Sequence, residues 1–177
     1  MDVKNYRVVE KLKDGRDVVI RAVCPDDKDG FTKGFEQLSE EAIYRRFFSP
    51  RRQFTEQELK TATEIDFVRV VALVTEIEEN GEKKIIGACR YLAIDNNDPP
   101  RQAEIAFTVL DAWQGKSLGK LLFKHLAGIG KACGIEKFEA VVLSENKGMM
   151  KVFASTGLKV SKRTEGGETS FDIDLKG

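Results

Sequence analysis

The chain has 177 residues, enough for one ordinary domain with a real core, and its 41% hydrophobic and 33% charged content is that of a globular protein. Its 29 basic side chains balance 29 acidic ones, which removes any electrostatic argument for nucleic acid or an anionic membrane as a partner. No apolar run suits a signal peptide or a bilayer span, Cys24, Cys89 and Cys133 lack metal-ligand spacing, and His125 is the only histidine; the expectation is a cytoplasmic protein with free thiols and no catalytic metal.

In chain order, Asp14-Gly15 separates the strand-like YRVVEKL from DVVIRAV and reads as a hairpin. After Pro25, Asp26 and Asp27 are expected to cap a helix reaching about Gln37. Ser39 caps a second helix, EEAIYRRFF, and Thr55 with Glu58 forms a capping box before a third, EQELKTAT. Asn80-Gly81 joins VRVVALVTEI to KKIIGACRYLAI as a second hairpin, and residues 95–100 (DNNDPP) form a loop into the next strand. A strand over 104–110 leads to a glycine-bearing loop and a helix over 116–133, with Leu118, Leu121, Leu122, Leu126, Ile129 and Cys133 along one stripe. The strand FEAVVL, a short helix from about Asn146 to Ser155 and a closing hairpin at Gly166-Gly167 complete the order. The last strand alternates Phe171, Ile173 and Leu175 with Asp172 and Asp174. This order predicts a single α/β domain (α+β type) over residues 1–177, with a mixed sheet and helices on its faces.

Chemistry concentrates in EIAFTVLDAWQGKSLGKLLF, residues 104–123. Gln114-Gly115-Lys116-Ser117-Leu118-Gly119 places main-chain amides where a helix begins, which is a cradle for phosphate anions. Lys116 and Lys120 add positive charge. A nucleotide-triphosphate loop fits poorly, because Leu110 stands where its first glycine belongs and the hairpins are not repeated βαβ units.

The segment resembles the pyrophosphate signature Q-x-x-G-x-G/A of the Gcn5-related N-acetyltransferases (GNAT), matched at Gln114 and Gly119 with Ser117 in place of the first glycine. Glu104-Ile105-Ala106-Phe107 looks like the strand that carries a catalytic glutamate in that superfamily, and Asn146 to Leu158 (NKGMMKVFASTGL) is similar to its second cofactor motif. The resemblance implies a GNAT fold: a mostly antiparallel twisted sheet, helices on both faces, and two central parallel strands, here 104–110 and 137–143, that splay apart. It implies acetyl-CoA as cosubstrate, lying in that gap and held by Thr108, Val109, Leu110, Gln114, Gly115, Lys116, Ser117, Leu118, Gly119, Lys120, Asn146 and Phe153. Within that set the Thr108 N–H is expected to meet the thioester carbonyl, Val109 and Leu110 to line the pantetheine arm, and a β-bulge at Leu110–Asp111 to end strand pairing.

An amine attacks a thioester only when unprotonated, and a lysine side chain has a pKa of about 10.4, so a base is needed. Glu104 is the candidate; flanked by apolar residues, its carboxyl is expected to be desolvated, which suits a base. Phe153 occupies the position of the tyrosine that often protonates the leaving thiolate, and a phenyl ring has no proton to give. Ser117 costs roughly 1–2 kcal/mol if its position requires a positive φ, and its hydroxyl is then placed to reach a phosphate oxygen.

A second resemblance lies in IRAVCPDD (20–27) and LSEEAIYRRFF (38–48), which look like the acetyltransferase domain of bacterial protein lysine acetyltransferases that modify acyl-CoA synthetases. Members often carry a fused regulatory domain, for which these residues leave no room. The implied acceptor is a protein lysine, with Glu36, Glu40 and Glu41 expected to attract the cationic amine and Phe35, Tyr44, Phe47 and Phe48 beside them. Two other readings stay open: a small amine as acceptor, and a non-catalytic acyl-CoA-binding or sensing domain. The oligomeric state is not encoded in any pattern here.

Overall fold

The structure, a computed structural model describing residues 1–177, runs through β1 (Arg7–Lys11), β2 (Asp17–Ala22), α1 (Lys28–Glu36), α2 (Glu40–Phe47), α3 (Glu56–Thr63), β3 (Val70–Glu79), β4 (Glu82–Ala93), β5 (Gln102–Val109), α4 (Leu118–Ala132), β6 (Lys137–Leu143), α5 (Lys147–Ala154), β7 (Lys159–Glu165) and β8 (Glu168–Asp174). The glycine signals become tight reversals. Asn80 and Gly81 (φ 54° and 78°) close β3 onto β4, and Gly166 and Gly167 (φ 59° and 80°) close β7 onto β8, the positive φ pairs of two-residue hairpins. The eight strands form one sheet in the order β1-β2-β3-β4-β5-β6-β8-β7, in which only the β5–β6 pair is parallel.

Helices cover both faces, as expected. On one, α4 lays Leu118, Leu122, Leu126 and Ile129 against Val71, Leu73, Cys89 and Tyr91 in the main core. Each such side chain contributes about 1.5–3 kcal/mol by leaving water. Two glycines permit the close approach. A Cβ on Gly130 would stand 2.8 Å from Phe138 Cζ, and one on Gly87 of β4 would stand 3.0 Å from Leu118 Cδ2 and 3.3 Å from the Thr108 carbonyl oxygen. On the other face α1–α3 cover a smaller cluster around Val23, Ala72 and Val74.

Local chemistry explains most boundaries. Ser39 Oγ accepts from the Ala42 N–H to start α2, and Thr55 and Glu58 make the expected reciprocal capping box. Three expectations change. Helix α4 begins at Leu118, not 116, because Ser117 is left-handed (φ 72°) and cannot continue a helix backwards. No bulge lies at Leu110–Asp111, where β5 runs into a single 3₁₀ turn; the register shift is instead between β3 and β4, where Thr75 and Glu76 oppose Gly87 and Ile85 and leave Ile86 as the extra residue.

The third change concerns Asp27, whose side chain does not cap α1 but closes the 3₁₀ turn Pro25–Asp27 ahead of it. Its carboxylate receives both Arg21 terminal nitrogens (2.9 and 2.8 Å) and the Cys24 N–H (2.8 Å), and Glu76 of β3 takes a further Arg21 bond at 3.0 Å. This buried cluster fastens the entry to α1 onto β2 and β3. Burial alone pushes the Asp27 carboxyl up, but the Arg21 guanidinium and the Cys24 amide reverse it and hold it below the usual carboxylate range. A lowered folded-state value means the stabilisation is complete above the unfolded carboxyl pKa and is lost as pH falls through the folded one. Asp27→Asn should therefore lower stability by roughly 3 kcal/mol near neutral pH, and the deficit against wild type should shrink at about pH 3, measured by urea unfolding at both.

Candidate active site

The β5–β6 ladder has only three rungs, Gln102↔Lys137, Ala103↔Phe138 and Glu104↔Glu139, after which the strands part. Each is held on its far side: β5 pairs with β4 from Ala103 to Val109, and β6 with β8 from Lys137 to Leu143. The result is a V-shaped gap with Glu104 at its vertex.

Strand alternation decides which main-chain groups face the gap. The Leu110 N–H donates to the Ile86 carbonyl (3.0 Å) and the Ile94 N–H to the Gln102 carbonyl (3.0 Å), so even-numbered β5 residues spend their backbone bonds on β4. The Thr108 amide is therefore committed to the sheet. Phe107 and Val109 turn theirs to the gap, and they replace Thr108 as the candidate partners of a ligand carbonyl. The Val109 carbonyl is already taken by Gln114 Nε2 at 3.2 Å, which ties the loop to the strand end.

Beyond the gap, a groove of about 440 Å³ leads to the start of α4, bordered by Thr108, Val109, Gln114, Gly115, Ser117, Leu118, Gly119, Lys120 and Asn146. Gly115 (φ 73°) and Ser117 (φ 72°) shape the turn so that the first amides of α4, which have no helical partner, open into the groove. The Ser117 hydroxyl caps nothing. A Cβ on Gly119 would stand 3.4 Å from Val152 Cγ2, so this glycine lets α4 and α5 converge. Asn146 starts α5 by accepting from the Met149 N–H at 3.3 Å.

Three of the expected cofactor residues stand elsewhere. Lys116 turns from the groove: its carbonyl receives the Lys13 N–H (3.1 Å) and its ammonium lies 3.7 Å from Asp14, because the β1–β2 turn docks on the loop. The groove's lysines are Lys13, Lys120 and Lys151. Leu110 is buried and borders a different cavity, on the α1–α3 side. Phe153 is a core residue, 1% exposed, packed on Phe107, Phe123 and Phe171 with ring centroids 5.1–6.0 Å apart, and it reaches only the floor of the gap.

Glu104 is exposed, so the apolar enclosure expected around it is absent. Its neighbours across the ladders are Leu92 on β4 and Glu139 on β6, and Ala106 and Thr108 follow on the same face. The gap it borders has a volume of about 380 Å³ and is flanked by Arg45 and Arg46 of α2 and by Phe48 at that helix's C-terminal cap. Helix α2 is held there by Asp111, which accepts from the Ser39 hydroxyl (2.7 Å) and the Ser39 N–H (3.2 Å).

The α1–α3 side contains a third cavity, of about 430 Å³, walled by Phe35, Phe47 and Phe54. Its charged lining is Arg46, Arg51, Arg90 and Glu58, and Glu58 pairs with Arg51. The expected acidic attraction is therefore not built here. Glu36, Glu40 and Glu41 are all exposed and border none of the three cavities, and Glu41 pairs with Arg45. Nor does any group of three or more His, Cys, Asp or Glu side chains come together as a metal site, and no helix is long and apolar enough to cross a membrane. His125 sits between the Tyr6 hydroxyl (2.6 Å) and Glu10 (2.7 Å), away from the three cavities.

A parted parallel pair, with an anion-receptive helix start beyond it, agrees with what comparison with known proteins finds. Residues 39–158 match the model of the acetyltransferase (GNAT) family. This chain belongs to that family. Among relatives of this GNAT protein, the acetyltransferase PA5475 of Pseudomonas aeruginosa is 28% identical over 149 residues, covering 84% of this chain and 78% of that protein. Acetyltransferase Pat of Mycolicibacterium smegmatis is 29% identical over 165 residues, 93% of this chain; the chain spans about half of that relative, 48%. Among solved structures, the GNAT domain of S. lividans PAT superposes with a TM-score of 0.85 at 31% identity, covering 95% of this chain and 96% of that one. The GNAT chain is accordingly an acetyl-CoA-dependent N-acetyltransferase.

Five side chains at this GNAT site carried no readable signal as site residues: Lys13, Lys151, Arg45, Arg46 and Arg90. Arg45 and Arg46 stand within the RRFF motif but read there as ordinary helix residues. Ser117, by contrast, carries a direct test. Replacing it by glycine removes about 1–2 kcal/mol of left-handed strain and adds about 0.5–1 kcal/mol of chain entropy cost. Ser117→Gly should thus raise unfolding stability by roughly 0.5–1 kcal/mol in a denaturant titration, whereas Ser117→Ala should not.

Proposed function

We propose that this acetyltransferase moves the acetyl group of acetyl-CoA to the side-chain amine of a protein lysine, with Glu104 as general base. The observation that carries the reading is the position of Glu104 at the vertex of the gap, beside the free backbone edge of Phe107 and Val109. The likeness to a Pat acetyltransferase and to the GNAT domain of PAT supports a protein acceptor, and an acyl-CoA synthetase lysine fits the group that residues 20–27 and 38–48 resemble. A reducing cytoplasm suits the three free cysteines.

Acetyl-CoA supplies an activated acetyl group, and the residues present fit it. The amides from Gly115 to Lys120, the Ser117 hydroxyl and the unpaired Lys13, Lys120 and Lys151 would hold its phosphates. The exposed edge of β5 would pair with the amides of the pantetheine arm, as a sheet edge pairs with an added strand. The incoming ammonium loses its proton to Glu104, directly or through a water, and the neutral amine attacks the thioester carbonyl. Phe153 offers no proton, so the departing thiolate leaves unassisted; with an ordinary thiol pKa of about 8.5 it is a fair leaving group.

A second reading, a small amine as acceptor, is favoured by the largely apolar cavity of about 430 Å³ beside the gap. Both readings share the same base. Glu104→Gln should lower thiol release with a competent amine by at least ~10²-fold while leaving CoA affinity unchanged. A variant as active as wild type removes Glu104 from the role. Acetyl-lysine found by mass spectrometry on lysate proteins after incubation with acetyl-CoA would separate a protein acceptor from a small one. For the cofactor side, Ser117→Ala should weaken CoA binding about three- to tenfold in calorimetry and Ser117→Gly equally, since both delete the hydroxyl. If neither differs from wild type, the hydroxyl makes no phosphate contact.

A further inference from the structure

The arginines near the site divide into two kinds. Arg21 is paired with Asp27 and Glu76, Arg51 with Glu58, and Arg45 with Glu41. Arg46 and Arg90 make no hydrogen bond and no ion pair through their side chains, although both are partly buried and both border the cavity of about 430 Å³ beneath α1–α3. Burial first, and then the like charge of Arg90, push the Arg46 guanidinium down to about 10, with Glu104 acting only in the opposite sense. Two guanidiniums of one sign sharing a half-buried cavity are an incomplete arrangement, because desolvated cations are stable when an anion completes them.

CoA does not supply that anion. Its phosphates belong with the α4 loop and the groove lysines, and Arg90 does not border that groove at all. Arg46, however, borders all three spaces: the groove, the gap with Glu104, and the α1–α3 cavity. An anion held between Arg46 and Arg90 thus lies beside the place of acetyl transfer, on the acceptor's side. The adjoining wall is aromatic: Phe35, Phe47 and Phe54 pack with ring centroids 4.8–6.2 Å apart. The Arg46 and Arg51 guanidiniums each lie 4.9 Å from the Phe47 ring, a cation–π contact that still leaves the Arg46 N–H groups without an anion.

We propose that Arg46 and Arg90 form a carboxylate-recognition subsite for the acceptor, with the Phe35–Phe47–Phe54 wall receiving the apolar body that carries the carboxylate. The inference rests on the acetyl-transfer reading only in calling the ligand an acceptor. The carboxylate has two available sources: an acidic residue flanking an acceptor lysine, or the α-carboxylate of a free apolar amino acid. In either case the planar guanidiniums offer paired donors that match a carboxylate's two oxygens.

The test titrates the full chain, with CoA present, with 3-phenylpropionate and with its uncharged amide, 3-phenylpropionamide. The acid is expected to bind at least about tenfold more tightly, the effect of a charged hydrogen-bonded pair, and its advantage should fall with added salt. Arg90→Met and Arg46→Met should each cut the acid's advantage to about threefold or less, and Arg90→Lys should retain part of it, since the charge remains while the fork is lost. Equal affinity of wild type for acid and amide, binding of neither, or an acid preference that survives in both methionine variants overturns the subsite.

Acetylation assays then identify the source. Phenylalanine against phenylalaninamide tests the free amino acid, and a lysine peptide flanked by glutamate against one flanked by glutamine tests the protein acceptor. Loss of the preferred substrate's KM advantage in Arg90→Met supports the subsite; acetylation of both members of a pair with no carboxylate preference in either pair overturns it. Acid-selective probe binding with no acetylation of any of the four acceptors would count against the transfer reading and leave the subsite standing.

Discussion

Everything at this site depends on a pairing that the chain declines to complete. Two parallel strands would ordinarily continue their ladder, yet β5 and β6 separate after Glu104 and Glu139. Backbone amides and carbonyls are strong donors and acceptors that structures rarely leave without partners. Here the groups of Phe107 and the Val109 N–H are presented to an open gap, and the ligand that suits them is one with amides of its own. The separation is sustained by the outer ladders, because β4 and β8 hold β5 and β6 along their lengths and leave neither strand free to close.

The same parting sets the electrostatics. An open vertex exposes Glu104 to solvent and to the basic residues of α2, rather than to an apolar wall. The Ser39–Asp111 contact brings α2 to that position, so the end of the cofactor strand also orients the helix that carries Arg45 and Arg46. The Asp27–Arg21–Glu76 cluster anchors the preceding helix to β2 and β3. The groove at α4 and the cavity at α1–α3 are separate structures fastened to one sheet, and both border Arg46.

Sequence made the skeleton legible because its signals are local. Asn80-Gly81 and Gly166-Gly167 need only their own φ values to close a hairpin, Thr55 and Glu58 complete a capping box within one turn, and the α4 stripe repeats at helical period. The loop at Gln114–Gly119 was readable for the same reason. What escaped depends on contacts between distant segments. Lys116 is in the loop but answers to Asp14, while Lys13, remote in sequence, takes its place at the groove. The Thr108 amide faces β4 rather than the gap because strand alternation is settled by register with β4, which composition does not reveal. Arg90 on β4 and Arg46 on α2 share a cavity because α1 packs on β4 and α2 on β5, a juxtaposition of distant segments that leaves no local pattern.

Gly87 has a consequence beyond packing. It is part of no motif and has no side chain, yet any Cβ there would press on Leu118 at the first turn of α4 and on the carbonyl of Thr108 in β5. Strand and helix are two walls of the groove beyond the gap, so their spacing is gauged by the thickness of a single hydrogen on β4. A side chain at Gly87 would crowd both walls at once, although it lies on a third element.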